Sequence, residues 1–327
     1  MQSKNINSIV LLRAIAALGV CFVHINKSTD FKFGRIIDRL LDGGQQGVTV
    51  FFVISGFILP YSLYKNQYEI KDFFTFLFKR SLRVDPPYWC AIILAFILIP
   101  LPVSLLSLKS IFFHITYLVP FVKSVHWYTG IYWTLSIEFQ FYILLGLSYP
   151  FLKKLPDYLS IIILILVAAP FIRNDADGLI PSKLYLFVFG YLTFMAYVDL
   201  ISLKKFIIVT CLFTGWAIVE KSMMTGIVPV CTVFFIMIYK SNKKIPALNF
   251  LGNISYSLYL VHIPATALLL RALSGYHILP VVLFALCVMN AVILAYVLNR
   301  LIEVPALRLS KKIHFKKPDP IPLVNSN

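Results

Sequence analysis

Arg13 and His24, in the apolar stretch from Leu11 to Ile25, stand eleven residues apart. That is close to three full turns of an α-helix, so both side chains leave the same face. Their separation along the axis is about 16 Å, roughly half of a bilayer core of about 30 Å. One helix therefore offers a fixed cation near one end and a titratable imidazole near the other. Arg13 reads either as an anchor that snorkels to the headgroups or as a functional cation. His24 reads either as a hydrogen-bond partner for a neighbouring helix or as a general base, a task that an unperturbed pKa of about 6.5 suits.

Other chemistry-bearing residues fall at definite places along the chain. Arg80 and Arg83, in the sequence Lys79-Arg80-Ser81-Leu82-Arg83-Val84-Asp85-Pro86-Pro87, share a face if that loop segment is helical. Two guanidinium groups can grip a multiply charged phosphate through bidentate, charge-assisted bonds, although a basic loop beside a span is also an ordinary topology anchor. Glu138, in WTLSIEFQFY, is the one carboxylate of fourteen set well inside an apolar run, and an acid in that position is a functional candidate. Counted from the outer end of its run, it reaches a depth comparable with His24, where it could orient the imidazole or raise its basicity. The other reading of Glu138 is a hydrogen-bonding partner for a tyrosine or an arginine.

His262, in FLGNISYSLYLVHIP, is an alternative base to His24, and Ser255 lies seven residues before it on nearly the same face. Pro264 and the polar neighbours suit a helix-packing joint equally well. The stretch HWYTGIYW carries His126, Trp127, Tyr128, Tyr132 and Trp133. It reads as an aromatic belt at the membrane boundary, or as a weaker platform for sugar rings on Trp127, Tyr128 and Trp133. Near the end, Arg300 and Glu303 in NRLIEVPALRL read as a structural ion pair at the interface. Gly47 opens GVTVFFVISGFILP, where Ser55 and Gly56 are small residues suited to close helix packing. They are not a nucleophile elbow, because Val53 stands where G-x-S-x-G needs glycine.

The elements that must position these groups are membrane helices. At 59% hydrophobic residues and a mean hydropathy of +0.83, the chain exceeds the roughly 45 to 50% apolar content of a soluble domain. The fold class expected is an all-α polytopic membrane bundle of about ten spans, near residues 6–26, 47–64, 86–103, 132–150, 158–173, 181–199, 204–220, 223–240, 248–272 and 278–300. The run from Ser110 to Val122 is short for a crossing and suits an interfacial or re-entrant piece. Ile36, Ile37, Leu40 and Leu41 recur at helical spacing in the loop before Gly47, as in a surface helix.

A net charge of +16 does not point to nucleic acid here, because the cations cluster in particular loops as the positive-inside rule requires. Their distribution puts both termini in the cytoplasm, Arg13 nearer the inner face and His24 nearer the outer one. Residues 1–309 then form a single membrane-embedded domain, and residues 310–327 a short basic cytoplasmic tail that meets anionic headgroups. The five cysteines are scattered through apolar runs without a C-x-x-C, so neither a disulfide framework nor a metal site is expected.

Taken together, the R-x10-H first helix, GVTVFFVISGF, the R-x-x-R of Arg80 and Arg83, WTLSIEFQFY, LGNISYSLYLVHIP and the terminal LIEVP resemble the acyltransferase 3 family of bacterial integral membrane acyltransferases over nearly the whole chain. The resemblance implies transfer of an acyl group, usually acetyl, from cytoplasmic acyl-CoA to a hydroxyl of an envelope carbohydrate such as O-antigen, exopolysaccharide or capsule. It implies a multi-pass protein of the bacterial inner membrane, here in a form without an appended extracytoplasmic domain, with acetyl-CoA and a polysaccharide or lipid-linked glycan as its partners. Arg80 and Arg83, with Arg13, would then hold the donor's phosphates. His24 would be the base on the acceptor hydroxyl, with Glu138 orienting it or placing the acceptor. A transporter of polysaccharide or lipid-linked sugar is the competing class, for which ten spans and intramembrane charges are also ordinary.

Overall fold

The computed structural model describes residues 7–29, 32–99, 107–173, 178–240, 243 and 245–315. The far end of the expected 86–103 span, Lys244, and the tail from residue 316 onward with Lys316 and Lys317 lie outside the described residues. Among the described residues there is no strand, and each of the ten apolar runs holds a helix. In chain order these are α1 (Asn7–Thr29), a short surface helix α2 (Arg35–Asp42), α3 (Gly47–Lys65), α4 (Phe73–Leu98), the short α5 (Leu108–Ile115), α6 (Trp133–Leu152) and α7 (Asp157–Ala168). Then follow α8 (Leu184–Tyr197), α9 (Leu203–Glu220), α10 (Met223–Ile238), α11 (Pro246–Ala272) and α12 (Pro280–Leu298), which passes through a π-helical turn (Asn299–Glu303) into α13 (Val304–Lys312). The chain is an all-α polytopic membrane bundle. Among the described residues six segments are long and apolar enough to cross a bilayer: α1, Arg35–Lys65, Ile70–Leu98, α6, α11 and Pro280–Lys312.

Two packed groups make up the bundle. One is built on α3 and α8. Every residue of α8 from Leu184 to Ala196 is buried, as expected of a helix that is apolar all round and surrounded by others. It meets α3 at Gly56 and Gly190, where an added Cβ would collide with the facing backbone of Phe187 and Val53. The small-residue reading of Gly56 therefore describes a true helix contact. The second group is built on α1, α11 and α12. Val48 and Phe139 pack against both groups, and α4 and α6 stand where the two meet.

Helices α1 and α11 run parallel. Gly252 lies against Val10, Arg13 against Ser255, and His24 against His262. The amphipathic α2 has no buried residue, in keeping with a surface helix.

Arg80 and Arg83 are not in a loop, because α4 begins at Phe73, thirteen residues before the expected start at Pro86. Proline usually marks a boundary because it lacks an N–H and crowds the preceding turn. Here Pro86 and Pro87 sit inside the helix, and the Tyr256 hydroxyl donates to the adjacent Val84 carbonyl at 2.9 Å. The carbonyls that the two prolines leave without an N–H partner are those of Leu82 and Arg83, so the Tyr256 bond ties α4 to α11 and does not replace a lost one. The two arginines are thus carried into the bundle on a rigid element.

Candidate active site

A cavity of about 750 Å³ opens between α1, α3, α4, α6, α11 and α13. Arg13, Lys65, Arg80, Arg83 and Lys311 line it, against the two carboxylates Glu138 and Glu303. Five cations facing two anions leave an excess of positive charge. Apolar walls from Ile9, Phe52, Ile58 and Leu59 keep the local dielectric low, so that charge acts strongly on an anion that enters. Lys65, Asn66 and Lys311 stand at its mouth, at the end where α3 terminates.

Arg13, Arg80, Glu138 and Glu303 are held by neutral hydrogen-bond partners or by aromatic rings. Arg13 donates from Nε to Ser255 Oγ at 3.0 Å, and Ser255 donates to the Gly252 carbonyl at 2.8 Å. Gly252 makes this possible, since any Cβ there would collide with the Val10 carbonyl and prise α1 from α11. The Arg80 guanidinium lies over the rings of Phe76 and Tyr142, 5.8 and 5.9 Å from their centroids. Stacking of this sort fixes the plane of the fork and leaves its N–H donors to bind something else. Among the described residues no carboxylate forms an ion pair with Arg13, Arg80 or Arg83.

Glu303 accepts from Ser257 Oγ at 2.6 Å and from Asn299 Nδ2 at 2.9 Å. The expected Arg300–Glu303 ion pair does not form. The π-turn's i→i+5 bonding widens the helix, so residues three apart no longer share a face. Arg300 instead points outward over the Tyr296 ring at 5.9 Å, while Glu303 turns into the cavity.

Glu138 joins the same cavity, and Ser55 Oγ donates to its Oε1 at 3.1 Å. The expected depth match with His24 is not what the structure shows, because α6 starts well below the surface. The Tyr132 hydroxyl reaches the carbonyls of Ala91 and Leu260 at 3.0 and 3.4 Å. Thr134 is level with Tyr259, their hydroxyls 2.7 Å apart. Since α6 and α11 run in opposite senses, Glu138 comes level with Ser255 and Arg13, not with His24. Counting residues from the start of a run misjudges depth when the run begins inside the bundle.

His24 and His262 lie together, beyond the cavity's far wall. His262 Nε2 is 3.2 Å from His24 Nδ1, and the ring centroids are 5.1 Å apart. Tyr259 stands between this pair and the cavity, which its side chain lines, with its ring 6.1 Å from that of His262. His262 is fully buried, whereas His24 is half-buried.

The aromatic segment is folded inward. Tyr128 is buried and stacks on His114 at 3.8 Å, Trp127 packs edge-on to the same imidazole, and Trp133 faces Phe52 beneath Lys183. None of the three lines the cavity. Sequence reasoning missed the cavity residues Tyr142, Tyr256 and Tyr259. It also missed Asp85, a buried carboxyl that accepts from the Tyr117 hydroxyl at 2.8 Å. A signal for two of them was present: Ser255, Tyr256, Tyr259 and His262 recur at helical spacing.

Fold and cavity define a polytopic membrane protein with an anion-receptive chamber inside its helix bundle. The chain belongs to the acyltransferase 3 family, whose model, described as an acyltransferase domain, matches residues 6–300. It is similar to the O-acetyltransferase OatA of Staphylococcus aureus, for example in strains NCTC 8325 / PS 47, COL and MRSA252. The identity is 23% over 351 residues, which cover 90% of this chain and 56% of the relative. The chain thus spans about half the length of the curated relatives it matches. No solved structure matches it.

Proposed function

We propose that this protein is a membrane O-acyltransferase that moves an acyl group, acetyl in the first instance, from cytoplasmic acyl-CoA to a hydroxyl of an envelope carbohydrate. The observation that carries the reading is the gathering of Arg13, Arg80 and Arg83 in one apolar-walled cavity without an ion-paired partner among the described residues. Donors held in this way suit the phosphates of CoA. A long flexible arm separates those phosphates from the thioester, and it is directed past Tyr259 toward the histidines.

His24 is the general base. It removes the proton from the acceptor hydroxyl as that oxygen attacks the thioester carbonyl. The new C–O bond forms, the C–S bond breaks, and CoA leaves as thiolate to be protonated. Glu138 serves the donor side, balancing the three arginines at their own depth. The positive-inside count supports a cavity mouth at the cytoplasmic face with the histidines toward the outside, so that donor and acceptor arrive from opposite sides of the membrane.

Mass and NMR analysis of envelope glycans from cells with and without the gene is the direct test, read together with CoA binding to the purified protein. An acyl ester that appears only with the gene, and CoA binding that weakens when Arg80 and Arg83 are replaced, are the expected results. Unchanged esters with altered export of a glycan would replace the enzyme by a transporter.

A further inference from the structure

Three contacts fix the protons of the histidine pair. His24 Nδ1 is 2.9 Å from the Val20 carbonyl, His262 Nδ1 is 3.1 Å from the Leu258 carbonyl, and His262 Nε2 is 3.2 Å from His24 Nδ1. A carbonyl oxygen only accepts, so each Nδ1 must carry a hydrogen. Neutral His262 then has its lone pair on Nε2, which accepts from His24 Nδ1–H as the second arm of a shared bond. The reverse assignment, with Nε2–H of His262 donating to an unprotonated His24 Nδ1, sets a lone pair against Val20. In a neutral His262 it sets a second lone pair against Leu258. Only one neutral arrangement satisfies all three contacts.

We infer that His262 is a positioning residue that holds His24 in the Nδ1–H tautomer, so that the lone pair of His24 Nε2 is the one presented to the acceptor hydroxyl. This rests on the reading of His24 as the base. It removes His262 as a rival base, since both of its ring nitrogens are engaged within a fully buried site. It also gives the pair a division of labour. When Nε2 takes the acceptor's proton, the imidazolium keeps its Nδ1–H on the Val20 carbonyl and on His262 Nε2, which spreads the charge without a carboxylate. A third group that fixes the tautomer of a base is the arrangement of a catalytic triad, here with a neutral imidazole in that place.

The test uses full-length protein in lipid nanodiscs and in cells. In the 15N spectrum of histidine-labelled protein, the resonances lost in His24→Ala identify His24, which should show a protonated Nδ1 and an unprotonated Nε2. His262→Leu should cut the rate of ester formation at equal membrane abundance by about tenfold or more, leaving CoA affinity unchanged. His262→Gln, whose Oε1 can accept from His24 Nδ1–H, should stay within a few-fold of the wild type. A His24 protonated on Nε2, a His262→Leu variant with wild-type rate, or a His262→Gln no better than His262→Leu would each overturn the positioning role. If His24→Ala itself retains full rate, the fault lies with His24 as the base and not with its partner.

Discussion

Helices α1 and α11 touch at two polar levels, and the two contacts differ in kind. At the lower level Arg13 meets Ser255, beside a chamber with further cations and two carboxylates. At the upper level His24 meets His262, each also tied to its own helix backbone. The lower contact leaves charge available to a ligand. The upper one uses every ring nitrogen but one, since no described residue bonds to Nε2 of His24. On the proposed reading one interface separates binding from proton transfer, and each level can be broken without the other.

The largest effect is expected at the upper level. Replacing His24 by alanine should lower ester formation by about 10²- to 10⁴-fold, the usual worth of a positioned general base, while CoA binding measured by calorimetry stays unchanged. A loss of CoA affinity in that variant would merge the two levels into one site. The lower level should answer in the opposite way. Arg80→Ala or Arg83→Ala removes hydrogen bonds to a charged group, each worth about 1.5 to 3 kcal/mol, so CoA should bind roughly ten- to a hundredfold more weakly. The 15N signature of His24 should not move, and a shifted tautomer would show that the arginines act through the histidines.

Much of this separation is legible in the sequence, and its limits have physical causes. The eleven-residue spacing of Arg13 and His24 fixes their common face and their different depths, because helix geometry is nearly invariant. Among the described residues each of the ten apolar runs holds a helix for a similar reason: a segment that enters lipid must satisfy its own backbone. The depth of Glu138 was not legible, since it depends on how far residues 117–132 dip into the bundle before α6 begins. The position of Arg80 and Arg83 inside α4 was hidden by Pro86 and Pro87, where a local rule yields to the packing of the whole helix in the bundle. The meeting of His24 with His262 is a tertiary fact that two separate helices cannot announce.

Glu138 sharpens the comparison, because its placement in the chamber predicts a lower-level response from a residue first matched to the upper level. Glu138→Gln retains the Ser55 bond and removes one of the two negative charges. The chamber then gains net positive charge, and CoA affinity should rise by a few-fold at low salt, a gain that shrinks at higher ionic strength. The rate at saturating donor and the His24 tautomer should stay as they are. A fall in saturated rate comparable with that of His24→Ala would return Glu138 to the imidazole.

His114 supplies the control, a histidine whose surroundings leave no nitrogen free. Its Nδ1 donates to the Ser110 carbonyl at 2.8 Å, and its Nε2 accepts from the Tyr128 N–H at 3.1 Å. It shares the Nδ1–H tautomer assigned to His24, yet its second nitrogen is consumed by the fold. Burial pushes its pKa from the ordinary 6.5 down to about 4, because the protonated ring would lose the Tyr128 bond and carry an unpaired charge. A base whose folded pKa is depressed contributes stability that is full above about 6.5 and is lost as pH falls from there through about 4. Thermal unfolding between pH 7 and pH 4 should therefore show a melting temperature that drops a few degrees further in the wild type than in His114→Ala. Ester formation per folded molecule at pH 7 should be nearly the same in the two proteins. Parallel melting curves would mean that His114 takes up its proton as readily in the fold as in the unfolded chain, and the satisfied-histidine assignment would fail.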